Sequence, residues 1–297
     1  MTATPSTTLP AGIRPGGRFD RWLRPVPAYV VCDVDGTLVG PQADATDEVA
    51  DAVTVAQAAG LRVGLATGRA RLGVQALWQQ LRADGPHLLH NGAEVRADGR
   101  TVAAWSLTVQ QVDALLDFAR GRDDAYLEVY TDDGYWVSSW DERARPHWDI
   151  LGHEPTGVLG DAGSLAGQPI PKITMTVFET AAVPAVLAGI TDLGLAPGQA
   201  DSPRAPTLHF VNATHPDTDK GRALARAAEH LGIGMEQTVA IGDAANDLSM
   251  LAVAGTAIAM GQSPPEVQAV AHLVVPDVDA HGVAVALDAA RTWREQA

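Results

Sequence analysis

The run AYVVCDVDGTLVG, residues 28–40, constrains the fold most. A continuous apolar stretch without alternation fits a parallel strand covered on both faces. It ends abruptly in Asp33 and Asp35, followed by Gly36 and Thr37. Carboxylates there sit at the carboxyl end of a parallel strand, where open α/β sheets form their ligand crevices. Side chains alternate with period two, so Asp33 and Asp35 point to one side if the extended geometry continues. Two carboxylates held together repel each other unless a cation or a proton intervenes.

The segments around this run alternate strand and helix. DATDEVADAVTVAQAAG reads as an amphipathic helix closed by Gly60, LRVGLATGR as a strand ending at Thr67-Gly68, and HLLHNGAEV as a short strand meeting Asn91-Gly92. This alternation predicts a Rossmann-like, doubly wound α/β core. In the middle of the chain, YLEVY, GYWVSS, KITMTVF and TLHFV read as half-buried, alternating strands with helices between them. They predict an inserted α+β domain with an antiparallel sheet. Downstream, DKGRALARAAEHLG, TVAIGDAANDLSMLAVAG, GTAIAMG and HLVVP return to the α/β pattern. The expected organisation is a poorly ordered tail at 1–26, a core at 27–92 and 208–297, and an insert at 93–207. The tail carries Arg14, Arg18, Arg21 and Arg24 and lacks the apolar stretch of a secretory signal.

Composition narrows the partners. A net charge of −15 repels nucleic acid and anionic membranes. It leaves room for a small phosphorylated ligand in a locally cationic pocket. The single cysteine, Cys32, excludes an internal disulfide and a cysteine metal cluster, and reads as a buried structural thiol. No apolar run reaches the roughly 18 residues that span a bilayer, and a cytoplasmic location is the default expectation.

A divalent cation would relieve the repulsion of Asp33 and Asp35, and an oxygen-only donor set favours Mg²⁺ over zinc. An EF-hand reading fails on spacing. Counting Asp33 as the first loop position, Leu38 stands where that loop needs its glycine. AIGDAANDLSML repeats the logic with Asp243, Asn246 and Asp247 after an apolar strand. Asp247 fits the first turn of a helix, where the dipole favours an acid. Asp243, at the strand tip, has no such excuse. Thr67 and the turn at Gly68 suit hydrogen bonding to phosphate oxygens, although Thr-Gly is also found in ordinary turns. Lys220 opens a helix, where a cation opposes the dipole. An anionic partner would account for it, and so would plain solvation.

Four pieces in this order, DVDGT, the Thr of ATGR, the Lys of DKG and GDAANDLSM, resemble the motifs of the haloacid dehalogenase (HAD) superfamily of phosphotransferases. With HNGAEV, they are most similar to its Cof-type phosphatases, which carry a large α/β cap between the second and third motifs. The resemblance spans about residues 27–290, strongly in the core and weakly in the insert. It implies Asp33 as the nucleophile and Asp35 as the general acid/base, with a pKa raised by acidic neighbours and partial burial. It implies Thr67, Gly68 and Lys220 as phosphate binders, and Mg²⁺ held by Asp33, Asp243 and the backbone carbonyl of Asp35. Asn246 and Asp247 would orient phosphate, metal water or the lysine, and Asn91 would border the substrate.

The function so implied is Mg²⁺-dependent hydrolysis of a small phosphorylated metabolite, in particular a sugar phosphate, through an aspartyl phosphate. A phosphomutase or a glycosyl-phosphate phosphatase is the alternative within the superfamily. A non-catalytic metabolite-binding protein is the alternative outside it, although both aspartates of DVDGT are present. The segment VNATHPDTDKG is unusually polar. Its Asn212, His215 and Asp219 either contribute to the site or shape the passage from insert to core. From the insert, Lys172, Arg143, Arg145 and His147 are candidate substrate contacts or solvated surface groups.

Overall fold

A computed structural model describes residues 9–19, 25–40, 44–132, 134–202 and 204–296. Its strands in chain order are β1 (Arg14–Pro15), β2 (Tyr29–Asp33), β3 (Arg62–Ala66), β4 (His87–Leu89), β5 (Glu94–Ala97), β6 (Arg100–Ala104), β7 (Ala125–Thr131), β8 (Gly134–Val137), β9 (Gly157–Val158), β10 (Lys172–Val177), β11 (Ala196–Asp201), β12 (His209–Thr214), β13 (Thr238–Gly242), β14 (Thr256–Ala259) and β15 (Leu273–Val274). The α-helices are α1 (Asp47–Ala58), α2 (Arg71–Leu81), α3 (Val109–Ala119), α4 (Arg145–Leu151), α5 (Val183–Asp192), α6 (Lys220–Leu231), α7 (Leu248–Val253), α8 (Pro265–Val270) and α9 (Gly282–Glu295). The chain divides into two compact units. The first comprises Met1–Gly68, Val74–Ala103 and Asp219–Ala297, and the second Arg69–Gly73 and Ala104–Thr218.

The first unit is built on a nine-stranded sheet of order β1-β15-β14-β13-β2-β3-β4-β5-β6. Strands β15, β14, β13, β2, β3 and β4 run parallel, while β1 and β5 pair antiparallel at the flanks. All five residues of β2 are buried, as its unbroken apolar run requires. From β2 the chain steps to β3 and β4 on one side, and later through β13, β14 and β15 on the other. The topological switch point therefore lies between β2 and β13. Helix α1 starts at Thr46, whose side chain accepts from the Val49 amide. It buries Val49, Val53 and Ala56 against the sheet, one face at helical spacing.

Two expectations change here. Within the segment read as a poorly ordered tail, Arg14 and Pro15 form a strand of the sheet. Arg14 and Pro15 pair with Val274 and Leu273, and Ile13 joins the core. The Arg18 guanidinium donates to the Ala252 carbonyl at 3.1 Å. Backbone pairing and apolar burial decide the matter, and composition alone did not reveal them. Residues 1–8, Arg21 and Arg24 lie outside the described residues. The second change concerns Glu94–Ala97 and Arg100–Ala104, assigned by sequence to the insert. They extend the first sheet, so the units part near residue 103.

In the second unit, a six-stranded sheet has the order β11-β12-β10-β7-β8-β9. It is antiparallel apart from the β8–β9 pair. One face places Leu127, Val129, Ile173, Met175 and Val211 against α3 and α5. The opposite face is buried yet polar. Across it, Glu128 stands opposite Thr174, and Thr174 opposite Asn212. Strand β12 runs on through Thr214, so Asn212 is a sheet residue that accepts from the Thr174 hydroxyl at 2.8 Å. Lys172 lies over the Tyr130 ring, 4.8 Å from its centre. Arg143 and Arg145 are pinned by acidic neighbours, Asp141 for the first and Glu142 and Glu154 for the second.

Candidate active site

The carboxyl ends of four adjacent strands bring the predicted residues together within the first unit. Asp33 ends β2, Thr67 follows β3, Asn91 follows β4 and Asp243 follows β13. Lys220 begins α6, and the Asp219 side chain caps that helix by accepting from the Arg222 amide at 2.8 Å. His215 is a turn residue whose Nδ1 accepts from the Asp217 amide at 3.1 Å.

Lys220 is not a solvated lysine. It is 1% exposed, and its ammonium donates to Asp33 Oδ1 at 2.5 Å and Asp247 Oδ1 at 2.7 Å. Burial pulls its pKa down, but the Asp33 and Asp247 carboxylates outweigh that and hold it above the ordinary lysine value. Asp247 is 0% exposed. Its other oxygen accepts from the Asp243 and Ala244 amides at 3.0 and 3.1 Å. Asp247 is therefore a brace that shapes the acidic loop and neutralises part of the lysine.

Asp33 experiences opposing influences. Burial and Asp247 push its carboxyl up, while Lys220 pulls it down, and the raised direction prevails without a cation. Asp243 is only partly buried. Burial and Asp247 push it up to about 6, against the Thr37 hydroxyl, which donates to its Oδ1 at 3.0 Å. One ammonium thus faces three carboxylates.

One carboxylate oxygen each of Asp33, Asp243 and Asp247 lies within 4.8 Å of the others. This all-oxygen donor set with surplus negative charge fits a hard divalent cation. To the Asp33 and Asp243 carboxylates of the expected ligand set, the group adds the Asp247 carboxylate. The extended geometry also stops at Asp33. The Leu38 amide turns back to the Asp33 and Val34 carbonyls, at 3.3 and 3.0 Å, and Asp35 is exposed. The partial burial expected for Asp35 is not found, because a turn replaces the period-two pattern. Gly36 lies at the centre of that turn with φ +92°, and a Cβ there would stand 2.4 Å from Asp243 Oδ2. Only glycine lets the two acidic loops approach so closely.

Thr67 is buried and Gly68 half-buried. The Asn91 amide donates to the Thr67 carbonyl at 2.9 Å, and Asn91 Oδ1 accepts from the exposed Asn246 at 3.2 Å. Sequence reasoning missed Thr37 as a partner of Asp243. It also missed Gln262, which donates to the Gly36 carbonyl at 2.5 Å. The Thr37 signal was present in DGT, whereas Gln262 lies in a distant loop with no motif of its own.

This fold and acidic cluster define a class, the doubly wound α/β proteins with paired acidic loops at a switch point. Comparison with known proteins makes it specific. The family of haloacid dehalogenase-like hydrolases matches residues 30–287. The chain is 30% identical over 279 residues to the 5-amino-6-(5-phospho-D-ribitylamino)uracil phosphatase YwtE of Bacillus subtilis, covering 87% of this chain and 96% of that protein. A haloacid dehalogenase-like hydrolase structure from Bacteroides thetaiotaomicron aligns with a TM-score of 0.77 at 24% identity, over 88% of this chain and 98% of that one. A HAD subclass IIB sugar phosphatase structure aligns with a TM-score of 0.70 at 23% identity, over the same shares, 88% and 98%. The chain belongs to the haloacid dehalogenase-like hydrolase family. It is an enzyme of that superfamily's phosphatase type. Among the described residues no helix is long and apolar enough to cross a membrane.

Proposed function

We propose that the chain is a cytoplasmic, Mg²⁺-dependent phosphatase that hydrolyses a sugar phosphate or a sugar-alcohol phosphate through an aspartyl phosphate. The observation that carries this reading is the Asp33–Lys220–Asp247 cluster with Asp243 beside it, a site with surplus carboxylate at the sheet's switch point. The substrate class draws support from the Bacillus relative, whose named substrate carries a phosphorylated ribityl chain.

Asp33 attacks phosphorus in line with the leaving oxygen and takes the phosphoryl group. Asp35 gives that oxygen its proton, then takes a proton from the water that cleaves the aspartyl phosphate. Its exposed position suits exchange of that proton with solvent. Lys220 and Thr67 offset charge on the equatorial oxygens. Asp247 keeps Lys220 charged and in place. Asp33, Asp243 and the backbone carbonyl of Asp35 would hold Mg²⁺, which supplies charge neutralisation for the transferring group.

The reading is tested with p-nitrophenyl phosphate and a panel of sugar and sugar-alcohol phosphates, with and without Mg²⁺. Turnover that needs Mg²⁺ and falls at least about 1,000-fold in Asp33→Asn is the expected result. Turnover of no phosphate ester would sink it.

A further inference from the structure

Three successive residues after β4 occupy the left-handed region: His90 at φ +53°, Asn91 at +57° and Gly92 at +95°. For non-glycine residues this costs on the order of 1–2 kcal/mol each, and such strain persists only where surroundings over-determine it. Here they do. A Cβ on Gly92 would stand 2.4 Å from the Asp219 carbonyl, so the turn presses on the residue that caps α6 just before Lys220. His90 is buried, with Nε2 3.8 Å from Glu94 Oε2. Glu94 is buried as well, and its Oε1 accepts from the Thr101 hydroxyl at 2.5 Å and from Arg96 at 3.0 Å. The hairpin of β5 and β6 thus anchors the strained turn.

The turn delivers one side chain to a place between two loops. The Asn91 amide donates to Thr67, and its carboxamide lies so close to Gly68 that a Cβ there would stand 3.0 Å from Oδ1. The same Oδ1 accepts from Asn246 in the loop after β13. Strands β3 and β13 flank β2 on opposite sides, so Asn91 links the loops on either side of the Asp33 strand.

We propose that Asn91 is a positioning residue. It sets the spacing between the Thr67–Gly68 loop and the Asn246 loop, with Glu94 anchoring its turn. This rests on the proposed phosphatase reading for its kinetic consequences, and not for its structural ones. Asn91→Gly keeps the left-handed backbone and removes the bracket. Asn91→Asp keeps an acceptor for Asn246.

The test has two arms. In the metal-free protein, amide hydrogen exchange at residues 244–247 is expected to quicken at least about fivefold in Asn91→Gly and to stay near wild type in Asn91→Asp. In the kinetic arm, Asn91→Gly is expected to lower kcat on p-nitrophenyl phosphate about tenfold with KM nearly unchanged, and Asn91→Asp to recover most of the loss. The double variant Asn91→Gly/Asn246→Ala is expected to be no slower than the slower single variant. Unaltered exchange would overturn the proposal, as would multiplying effects in the double variant. A raised KM at constant kcat would make Asn91 a substrate contact instead. Wild-type protein without phosphatase activity but with the exchange response would refute the phosphatase reading and leave the bracket standing.

Discussion

Glu128 and Asp33 are both buried carboxylates beside a basic partner, and their fates are opposite. In the second unit, Glu128 is 0% exposed. It accepts from the Tyr126 and Tyr130 hydroxyls, the latter at 2.6 Å, and pairs with His147 Nδ1 at 3.0 Å. Burial pushes Glu128 up, but His147 and the two hydroxyls more than reverse this, and it stays below the ordinary glutamate value. In the first unit, Asp33 shares one lysine with Asp247 and sits beside Asp243, and its pKa rises. Glu128 is satisfied by its own neighbours and is architecture. Asp33 is left with surplus like charge, which the cation and phosphate of the proposed reaction would offset. Burial of an acid does not by itself identify a site; the local balance of charge does.

The sharpest way to break this contrast is Lys220→Met. It leaves Asp33 and Asp247 without a counter-charge, so a loss of about 3–5 kcal/mol is expected in urea unfolding, besides lost turnover. Unchanged stability would show that the acids simply protonate.

Mg²⁺ comes next. At about 100 times its Kd it is expected to stabilise the wild type by about 2.7 kcal/mol, seen as a rise in Tm that EDTA reverses. Asp243→Asn should lose most of that rise. An equal rise in both proteins would place the cation elsewhere.

Glu128→Gln is expected to cost about 1–3 kcal/mol, because amide geometry cannot satisfy two hydroxyls and an imidazole equally well. Its loss should not be recovered by Mg²⁺, and recovery would erase the distinction between the clusters.

The smallest effect concerns a buried base in place of a buried acid. Burial pushes His87 down to about 3, and its Nδ1 accepts from the Leu65 amide at 3.2 Å. The neutral ring is favoured in the folded state, so its contribution is complete above the unfolded value near 6.5 and is lost as pH falls below it. At pH 5.5 the wild type should lose about 1.4 kcal/mol relative to pH 7.5. His87→Asn, which retains an acceptor, should not show that part of the loss.

Legibility in the sequence followed the range of the interactions. Strands β2, β3 and β13, with their terminal acids and hydroxyls, were readable because their patterns are local and continuous. The burial expected for Asp35 is not legible in the sequence, because a turn, stabilised by Val34, Val39 and the approach of Asp243 to Gly36, interrupts a periodicity that is valid only within a strand. Lys220 remained open between solvation and an anionic partner, since its two acids lie 187 and 27 residues away. Glu128 drew no notice, because a polar residue at an alternating position reads as the wet side of a sheet. Strand β11, APGQAD, carries the proline and glycine that usually mark a loop.

The short strand at Arg14–Pro15 has a bearing on how the protein is handled in the laboratory. It covers the outer rim of β15, whose backbone groups would otherwise be open to a strand from another molecule. Its partners are Val274 and Leu273, both buried, so a truncated version starting near residue 26 would present a sticky apolar border. Such a version is expected to self-associate more strongly than the 297-residue chain in size-exclusion chromatography, even though every residue of the candidate site would be retained.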